Sequence, residues 1–231
     1  EKIPHTVTDL LIIASNDYMS ASLLSNNFTD FEPRLRMLED MVIKSQFHDA
    51  DRFQTVSLYG LIYYTRQNNE HKVRKYIEYA QEGQVRLSPF LRRSFIYTLR
   101  TTIAYAYLQL KAYDECLKEV NELMALTNGE TRRDYVGHVK IINLMLRYEM
   151  KEYNYLAYLI KNTYRFFVNY LFTTTVHKFI IAYLKDAMKT KGRLQIQQLN
   201  KNYIEMLGHM RLNPSEADTA LAMMIEDYLK R

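Results

Sequence analysis

The sequence contains few of the residues that interrupt regular structure. Among its 231 residues there are only 6 glycines and 4 prolines, and tryptophan is absent. Glycine and proline are the strongest local signals for turns, so their scarcity argues against a fold built from many tight turns. Long segments with apolar residues at helical spacing fill the chain instead. The sequence therefore predicts an all-α protein.

A single cysteine, Cys116, excludes an internal disulfide framework. One lone thiol fits a reducing compartment, so we expect a cytoplasmic protein. The most apolar stretches, such as the FIIAYL segment at 179–184, are much shorter than the roughly 18 residues that a membrane span needs. We therefore expect no membrane span. The chain begins with Glu1 rather than Met, so we expect it to be a piece of a longer protein.

Signatures of catalysis are lacking as well. The sequence contains no glycine-rich phosphate loop and no nucleophile motif of the GxSxG type. The histidines are isolated, and the one tight group, His48 with Asp49 and Asp51, lacks the spacing of a metal site. Cys116 follows two acidic residues, which oppose formation of a thiolate. We expect a non-enzymatic protein without metal or cofactor, in which Cys116 is a small buried packing residue.

Tyrosine is the residue that the chain has in excess, with 20 copies. Its ring is a large apolar body that carries one polar tip, so it suits half-buried helix faces and contact surfaces. The apolar fraction of 48% and the charged fraction of 25% are ordinary for a globular protein. Tyrosine is therefore the first place to look for a binding surface.

Short polar breaks divide the chain into about eleven helices. Breaks fall at Ser25-Asn26-Asn27, at Gln67-Asn68-Asn69 and at Lys111-Ala112. Gly83 is predicted to end the fourth helix, and Ser88-Pro89 to begin the next one. Short loops make neighbouring helices antiparallel, so the helices are expected in hairpins. No linker marks a boundary, which predicts a single helical domain over residues 1–231.

Three of these hairpins share one residue frame. Ala104 and Tyr107 are followed six residues later by Tyr113, and the sequence QLKAY at 109–113 aligns with EMKEY at 149–153. Gly60 and a tyrosine three residues later occupy the first two positions of the frame, 44 residues before Ala104. On these residues the chain resembles the tetratricopeptide repeat family. The resemblance is clearest near residues 52–80, 96–124 and 136–164.

The resemblance implies a right-handed stack of antiparallel helical hairpins, with residues 173–231 completing or capping it. Gly60 and Ala104 would be the small residues at helix crossings, and Cys116 would replace the usual alanine. The chain also departs from the family, because its repeats are longer than about 34 residues. Arg147 and Leu156 stand where an aromatic and a small residue are expected. A helical bundle without repeats is the alternative.

The family geometry also implies a concave wall made by the first helix of each hairpin. That wall would be polar, aromatic and rich in hydroxyl groups, which suits the binding of a peptide. An ordinary solvated surface is the alternative interpretation. The residues implied are Gln54, Ser57, Tyr64, Thr98, Thr101, Tyr105, Gln109, His138, Tyr148 and Glu149.

Positive charge is concentrated in the second half of the chain. Asp186 is the only acid between Tyr153 and Ile204, a stretch that holds eight basic residues. Such asymmetry can mark a surface for acidic partners, although a solvated helix face is the simpler explanation. The predicted basic surface consists of Lys161, Arg165, Lys178, Lys185, Lys189, Lys191 and Arg193.

The sequence thus favours a non-enzymatic scaffold module that binds a protein or peptide, with preference for an acidic partner. The alternative is a regulatory or nucleic-acid-associated helical domain of a larger protein. Aromatic residues interleaved with basic ones from Lys161 to Lys178 support that alternative, because this pattern suits phosphate contact and base stacking. However, aromatic residues from Tyr164 to Phe172 cover every side of a helix. We therefore expect most of them to be buried.

Overall fold

The computed structural model describes residues 7–126, 133–169, 175–211 and 219–230 of the chain. All regular structure within these ranges is helical, which confirms the predicted all-α class. It comprises eleven α-helices and one short 3-10 turn, Ser88–Phe90. In chain order the helices are α1 (Val7–Ser25), α2 (Phe31–Glu39), α3 (Gln46–Arg66), α4 (Glu70–Leu87), α5 (Arg93–Gln109), α6 (Tyr113–Leu126), α7 (Arg133–Glu149), α8 (Tyr153–Asn169), α9 (Thr175–Lys189), α10 (Arg193–Arg211) and α11 (Thr219–Leu229).

The helices are grouped into two compact units. Unit 1 extends to Ala106 and unit 2 begins at Tyr107, so the division falls within α5. The single domain predicted over residues 1–231 stays a prediction. Within the described ranges, no helix is both long enough and apolar enough to cross a membrane.

Four helices end in the same hydrogen-bonded turn. A residue in the left-handed region follows each helix, its amide donates to the carbonyl three residues earlier, and the next amide donates to the carbonyl five residues earlier. This is the Schellman motif, which satisfies the last carbonyls of a helix with main-chain groups. The left-handed residues are Asn26, Asn68, Lys111 and Lys151, with φ of 55°, 51°, 60° and 61°.

These turns recur at nearly constant intervals along the chain. The left-handed residues of the four motifs are separated by 42, 43 and 40 residues, from 26 to 68, 111 and 151. A fifth left-handed residue, Gly192 with φ 93°, follows 41 residues after Lys151, between α9 and α10. The alternation of one helix, a short turn and a second helix is therefore repeated five times from α1 to α10.

Unit 1 has its core where α3 meets α1, α2 and α4. α3 packs against all three of these helices, and α1 also packs against α2. Phe31 and Leu35 of α2 and Phe53 and Val56 of α3 are completely buried. The Phe31 ring also stacks on Tyr63 with 4.7 Å between the ring centroids. The core is therefore built from apolar and aromatic side chains on the inner faces of these helices.

Two glycines allow α3 and α4 to approach closely. A Cβ atom at Gly60 of α3 would lie 1.9 Å from the Tyr76 ring of α4. A Cβ atom at Gly83 of α4 would lie 2.0 Å from the Phe53 ring of α3. Each helix thus offers a glycine where the other places an aromatic ring. The predicted role of Gly60 at a helix crossing is confirmed by this geometry.

The predicted boundary between the fourth and fifth helices was wrong. α4 continues through Gly83 to Leu87, because Gly83 serves packing against Phe53 and has a helical backbone. Ser88 and Pro89 form the 3-10 turn rather than the start of the long helix, and α5 begins at Arg93. The predicted stop at Gly83 is overridden, since Leu87 is buried and keeps the last turn of α4 in the core.

Unit 2 is centred on α7 and α9. α7 packs against α6, α8 and α9, while α9 also packs against α8, α10 and α11. Cys116 of α6 is completely buried, as are Ile142 of α7 and Leu156 of α8. The predicted packing role of Cys116 is therefore confirmed by its position in the core.

Candidate functional site

The second helix of the α7–α8 hairpin has one apolar side that faces the core. Leu156, Ile160, Thr163 and Phe167 are the buried residues of α8. Their spacing of four, three and four residues places them on one side of the helix. The rest of α8 is therefore free to present other side chains at the surface.

The exposed half of α8, from one flank of the buried side to the other, presents tyrosines and basic residues together. Tyr155 is 46% exposed, Tyr158 is 60% exposed and Tyr164 is 47% exposed. Lys161 and Arg165, at helical spacing from Tyr158, are exposed between them. These five residues are called the α8 face. Large aromatic rings at this degree of exposure on a helix are a feature of contact surfaces.

The charge of the α8 face is not compensated by neighbouring acids. α8 contains no aspartate or glutamate. Among the described residues, no ion pair joins Lys161 or Arg165 to a carboxylate, whereas Arg147 of α7 is paired with Glu152 at 2.8 Å. An acidic ligand would therefore meet cations whose charge is still available.

The two tyrosines at the start of the α8 face are held in a defined arrangement. The rings of Tyr155 and Tyr158 have their centroids 6.3 Å apart, and the ring planes differ by 20°. The Arg147 guanidinium lies 5.2 Å from the Tyr155 centroid, and its hydrogen bond to Glu152 orients it there. The flank of α8 shows a similar contact, since Lys140 Nζ lies 5.0 Å from the Phe166 centroid. Burial lowers the pKa of Lys140.

A second basic side belongs to α9. Lys178, Lys185 and Lys189 recur at seven and four residues, so they share one side of the helix with the small residue Ala182 between them. Asp186 accepts a hydrogen bond of 2.7 Å from the Tyr203 hydroxyl. Burial, and then this hydrogen bond, raises the pKa of Tyr203 above its ordinary value.

All seven residues of the predicted basic surface lie in unit 2 and are exposed. They are distributed over α8, α9, the turn after α9 and the first residue of α10. The stretch therefore presents positive charge on successive elements of one unit.

The predicted concave wall is divided between the two units, with its first six residues in unit 1. Ser57, Tyr64, Thr101 and Tyr105 are buried, and Gln54 and Thr98 are half-buried. The Ser57 hydroxyl donates to the Phe53 carbonyl of its own helix at 2.6 Å. A hydroxyl group that is satisfied in this way packs like an apolar group. Because they are buried, these four side chains offer no surface to a peptide.

The last four residues of the predicted wall are half-buried in unit 2. Gln109 ends α5, His138 lies with its ring centroid 6.2 Å from that of His177, and the Tyr148 ring contacts Tyr153 at 6.0 Å between centroids. Glu149 accepts a hydrogen bond of 3.1 Å from the Tyr113 hydroxyl and one of 2.7 Å from the Tyr228 hydroxyl. Glu149 thus ties α6 and α11 to α7. The wall as a whole stays a prediction.

The residues that the sequence analysis considered for catalysis or metal binding make contacts that hold the fold together. Burial, with a smaller contribution from Glu119, raises the pKa of the Cys116 thiol to about 12. His48 Nε2 contacts Asp9 at 2.9 Å, and Asp49 lies in the first turn of α3 between Arg52 and Arg86. Within the described ranges, no group of three or more His, Cys, Asp or Glu residues is arranged to hold a metal ion.

The sequence interpretation missed the exposed pair Tyr155 and Tyr158. It concentrated on the aromatic run that follows, of which Phe167 is buried, Phe166 is half-buried and Tyr164 is exposed. Tyr170 and Phe172 lie outside the described residues. The signal for the missed pair was its three-residue spacing upstream of Lys161, on a helix without acids.

Comparison of the chain with family models, with curated proteins and with solved structures found no match. The function must therefore be inferred from the geometry of the chain itself.

Proposed function

We propose that the protein is a non-enzymatic helical module that binds an acidic segment of a partner protein through the α8 face. The observation that carries the proposal is the exposure of Tyr158 at 60% beside two basic residues on a helix without acids. Tyrosine and arginine are the residue types that most often anchor protein interfaces. We further propose that the helices form a tetratricopeptide-like stack, which the recurring helix turns support, and that the protein is cytoplasmic.

Recognition would combine electrostatic attraction at a distance with direct contact of the tyrosine rings. The cations of α8 and α9 attract a carboxylate-rich segment and raise its rate of association. The rings of Tyr155 and Tyr158 then supply apolar contact area at low entropic cost, because each has two rotatable side-chain bonds. Affinity is expected to fall with salt, since exposed charges are screened over about 10 Å at 0.1 M ionic strength.

The test is a titration with a fluorescein-labelled acidic peptide that contains leucine and tyrosine among its glutamates. Arg165→Glu should weaken binding about tenfold, which corresponds to about 1.4 kcal/mol. The matched control is Lys118→Glu, which makes the same change of charge at an exposed position of α6 in the same unit. Equal effects of the two variants would show that binding follows net charge, and the α8 face would lose its assignment.

Single-stranded nucleic acid is the second candidate ligand. The nearly parallel rings of Tyr155 and Tyr158 favour it, because exposed tyrosines next to cations can stack on bases. Labelled oligothymidine, titrated in the same buffer as the peptide, separates the two candidates. Tyr158→Ala should then cost about 1–3 kcal/mol for the oligonucleotide, the range found when a stacking ring is removed. Tight binding of the oligonucleotide without binding of the peptide would replace the first candidate by the second.

A further inference from the structure

Two cations of α7 lie over two aromatic rings of α8. The Arg147 guanidinium is 5.2 Å from the Tyr155 centroid, and Lys140 Nζ is 5.0 Å from the Phe166 centroid. The cations are seven residues apart and the rings are eleven apart, so each pair lies on one side of its helix. These four residues therefore mark the two ends of one line between the helices, which we call the α7–α8 seam.

A carboxylate of the described residues contacts only one of these two cations. Glu152 accepts a hydrogen bond of 2.8 Å from Arg147 at the first end of the seam. At the other end Lys140 makes no hydrogen bond or ion pair with any residue that the structure describes. The same arrangement of a cation over a ring is thus compensated at Arg147 and uncompensated at Lys140.

Lys140 is half-buried, and this burial lowers the pKa of its amine below the ordinary value of 10.5. A cation that is partly withdrawn from water and has no counter-ion gains more from an approaching carboxylate than a fully solvated cation does. Burial is the only cause of the shift in pKa, so no charged group of α7 or of the helices packed against it contributes. At this level those helices carry Glu119 and Glu122 on α6, Arg165 on α8, and His177 and Lys178 on α9, and α7 itself carries His138.

The uncompensated end of the seam is continuous with the α8 face. Phe166 directly follows Arg165 of that face, so Lys140 extends the positive surface from α8 onto α7. Tyr158 and Phe166 are eight residues apart, or about 12 Å along the helix axis at 1.5 Å per residue. An extended peptide covers that distance with about four residues.

We propose that the acidic segment bound by the α8 face places one carboxylate on Lys140, about four residues from the side chain that packs on Tyr158. The inference rests on the proposed function and adds to it a defined position for one carboxylate of the partner. Glu152 on Arg147 shows within the chain itself how a carboxylate engages a cation that lies over a ring of α8.

A carboxylate on Lys140 makes binding depend on pH in the alkaline range. The nearby negative charge favours the protonated amine and raises its pKa in the complex. The added affinity is therefore complete while Lys140 is protonated in the free protein. It is lost as the pH rises from about 8 towards the ordinary lysine value of about 10.4.

The measurement is a titration of the acidic peptide described above at pH 7 and at pH 9. Lys140→Met should weaken binding at pH 7 about fivefold, the upper range for a partly exposed ion pair. Lys118→Met removes the same charge at an exposed position of α6 and should stay within about twofold of the wild-type protein. Lys140→Arg should bind like the wild-type protein at pH 7 and lose less affinity at pH 9, because arginine stays protonated.

A scan of the peptide tests the defined position of the carboxylate. Replacing each glutamate by glutamine in turn should find one position whose effect on affinity disappears in Lys140→Met, since that variant no longer has the partner of this carboxylate. Circular dichroism melts of both Lys140 variants show whether they are folded.

Equal effects of Lys140→Met and Lys118→Met would overturn the inference. The same pH dependence in Lys140→Arg and in the wild-type protein would also overturn it. In either case a weaker Arg165→Glu variant would still support the α8 face. Absence of peptide binding to the wild-type protein would overturn the proposed function and this inference together.

Discussion

Unit 1 and unit 2 are built from the same kind of helical hairpin, but they use their charged residues in different ways. In unit 1 the Asp49 carboxylate is shared by Arg52 at 2.6 Å and Arg86 at 2.5 Å. Arg52 also donates to the Glu39 carbonyl at 2.9 Å, at the end of α2. The arginines of this region hold helices together.

In unit 2 two carboxylates that join helices are bound by tyrosine hydroxyl groups instead. Glu149 accepts from Tyr113 and Tyr228, and Asp186 accepts from Tyr203. A neutral hydroxyl satisfies a carboxylate without using a cation, so the lysines and arginines of α8 and α9 keep their charge at the surface. Each unit also contains the other kind of contact, since Arg147 pairs with Glu152 in unit 2 and the Tyr64 and Tyr76 hydroxyls donate to Glu32 and Glu39 in unit 1. Among the described residues, however, no ion pair joins a cation of α8 or α9 to a carboxylate, whereas Arg52 and Arg86 of unit 1 are both bound to Asp49.

Disruption of the close crossing of α3 and α4 in unit 1 should have the largest effect on the free energy of unfolding. Gly60→Leu should destabilise the protein by about 3 kcal/mol or more, because the Tyr76 ring is buried and bonded to Glu39 and cannot move aside. Gly60→Ala should cost about 1–3 kcal/mol for the same reason. Urea unfolding monitored by circular dichroism measures both.

Gly208 in unit 2 is the matched control, since nothing lies within 4 Å of a Cβ built there. Gly208→Ala should stabilise the protein by about 1 kcal/mol through helix propensity. The two Gly→Ala changes should therefore have opposite signs. A common sign would show that the Tyr76 ring can move away from the α3–α4 crossing at little cost.

The ion pairs that Asp49 makes with Arg52 and Arg86 predict that the protein loses stability in acid. Burial raises the pKa of Asp49, but hydrogen bonds from Arg86 and Arg52 outweigh it, and the pKa lies below its ordinary value of 3.8. A lowered folded-state pKa contributes stability above the unfolded value, and this contribution is lost as the pH falls below about 4. Asp49→Asn should cost about 1–2 kcal/mol at pH 7 and should reduce the loss between about pH 5 and pH 3.

Asp40→Asn, at an exposed position of the same unit, is the control for this measurement and should leave the free energy of unfolding at pH 7 unchanged. If Asp49→Asn retained the full pH dependence of the wild-type protein, the stabilising role of the Arg52–Asp49–Arg86 group would be contradicted.

The smallest effect concerns Cys116 in the core of unit 2. Its thiol is completely buried and its pKa is raised to about 12, so it is protonated at neutral pH. Labelling by a thiol reagent should be slow in the native protein and fast in urea. Rapid labelling under native conditions would show that the packing around α6 opens readily. Unit 2 would then be less tightly packed than unit 1.

The sequence could predict the helices and the pairing of α3 with α4 and of α7 with α8, because periodicity and polar breaks depend on local residues. It placed Gly60 correctly at a crossing, since a glycine within a helical pattern has few other uses. It could not decide which polar side chains are covered. Ser57 and Tyr105 are residue types that also occur on solvated surfaces, but each of them is buried in a packed interior.

The candidate site was predicted only in part for the same reason. The basic residues could be found from the uneven charge, since charge asymmetry is visible in the sequence. The exposure of Tyr158 could not be predicted from the sequence, because a tyrosine in a helix suits a core and a surface equally well. Which side of α8 faces outward depends on the packing of α7 and α9, and that is a long-range property.

The repeated helix turn has a consequence for how this sequence can change over time. Its hydrogen bonds join main-chain groups, and its left-handed position is held by asparagine in two turns and by lysine in two others. Nothing in the turn demands a particular side chain, although glycine would fit with less strain. Substitutions can therefore accumulate through the hairpins while the interval between turns is preserved. The spacing of the turns and the left-handed torsion can therefore stay constant while the side chains around them differ.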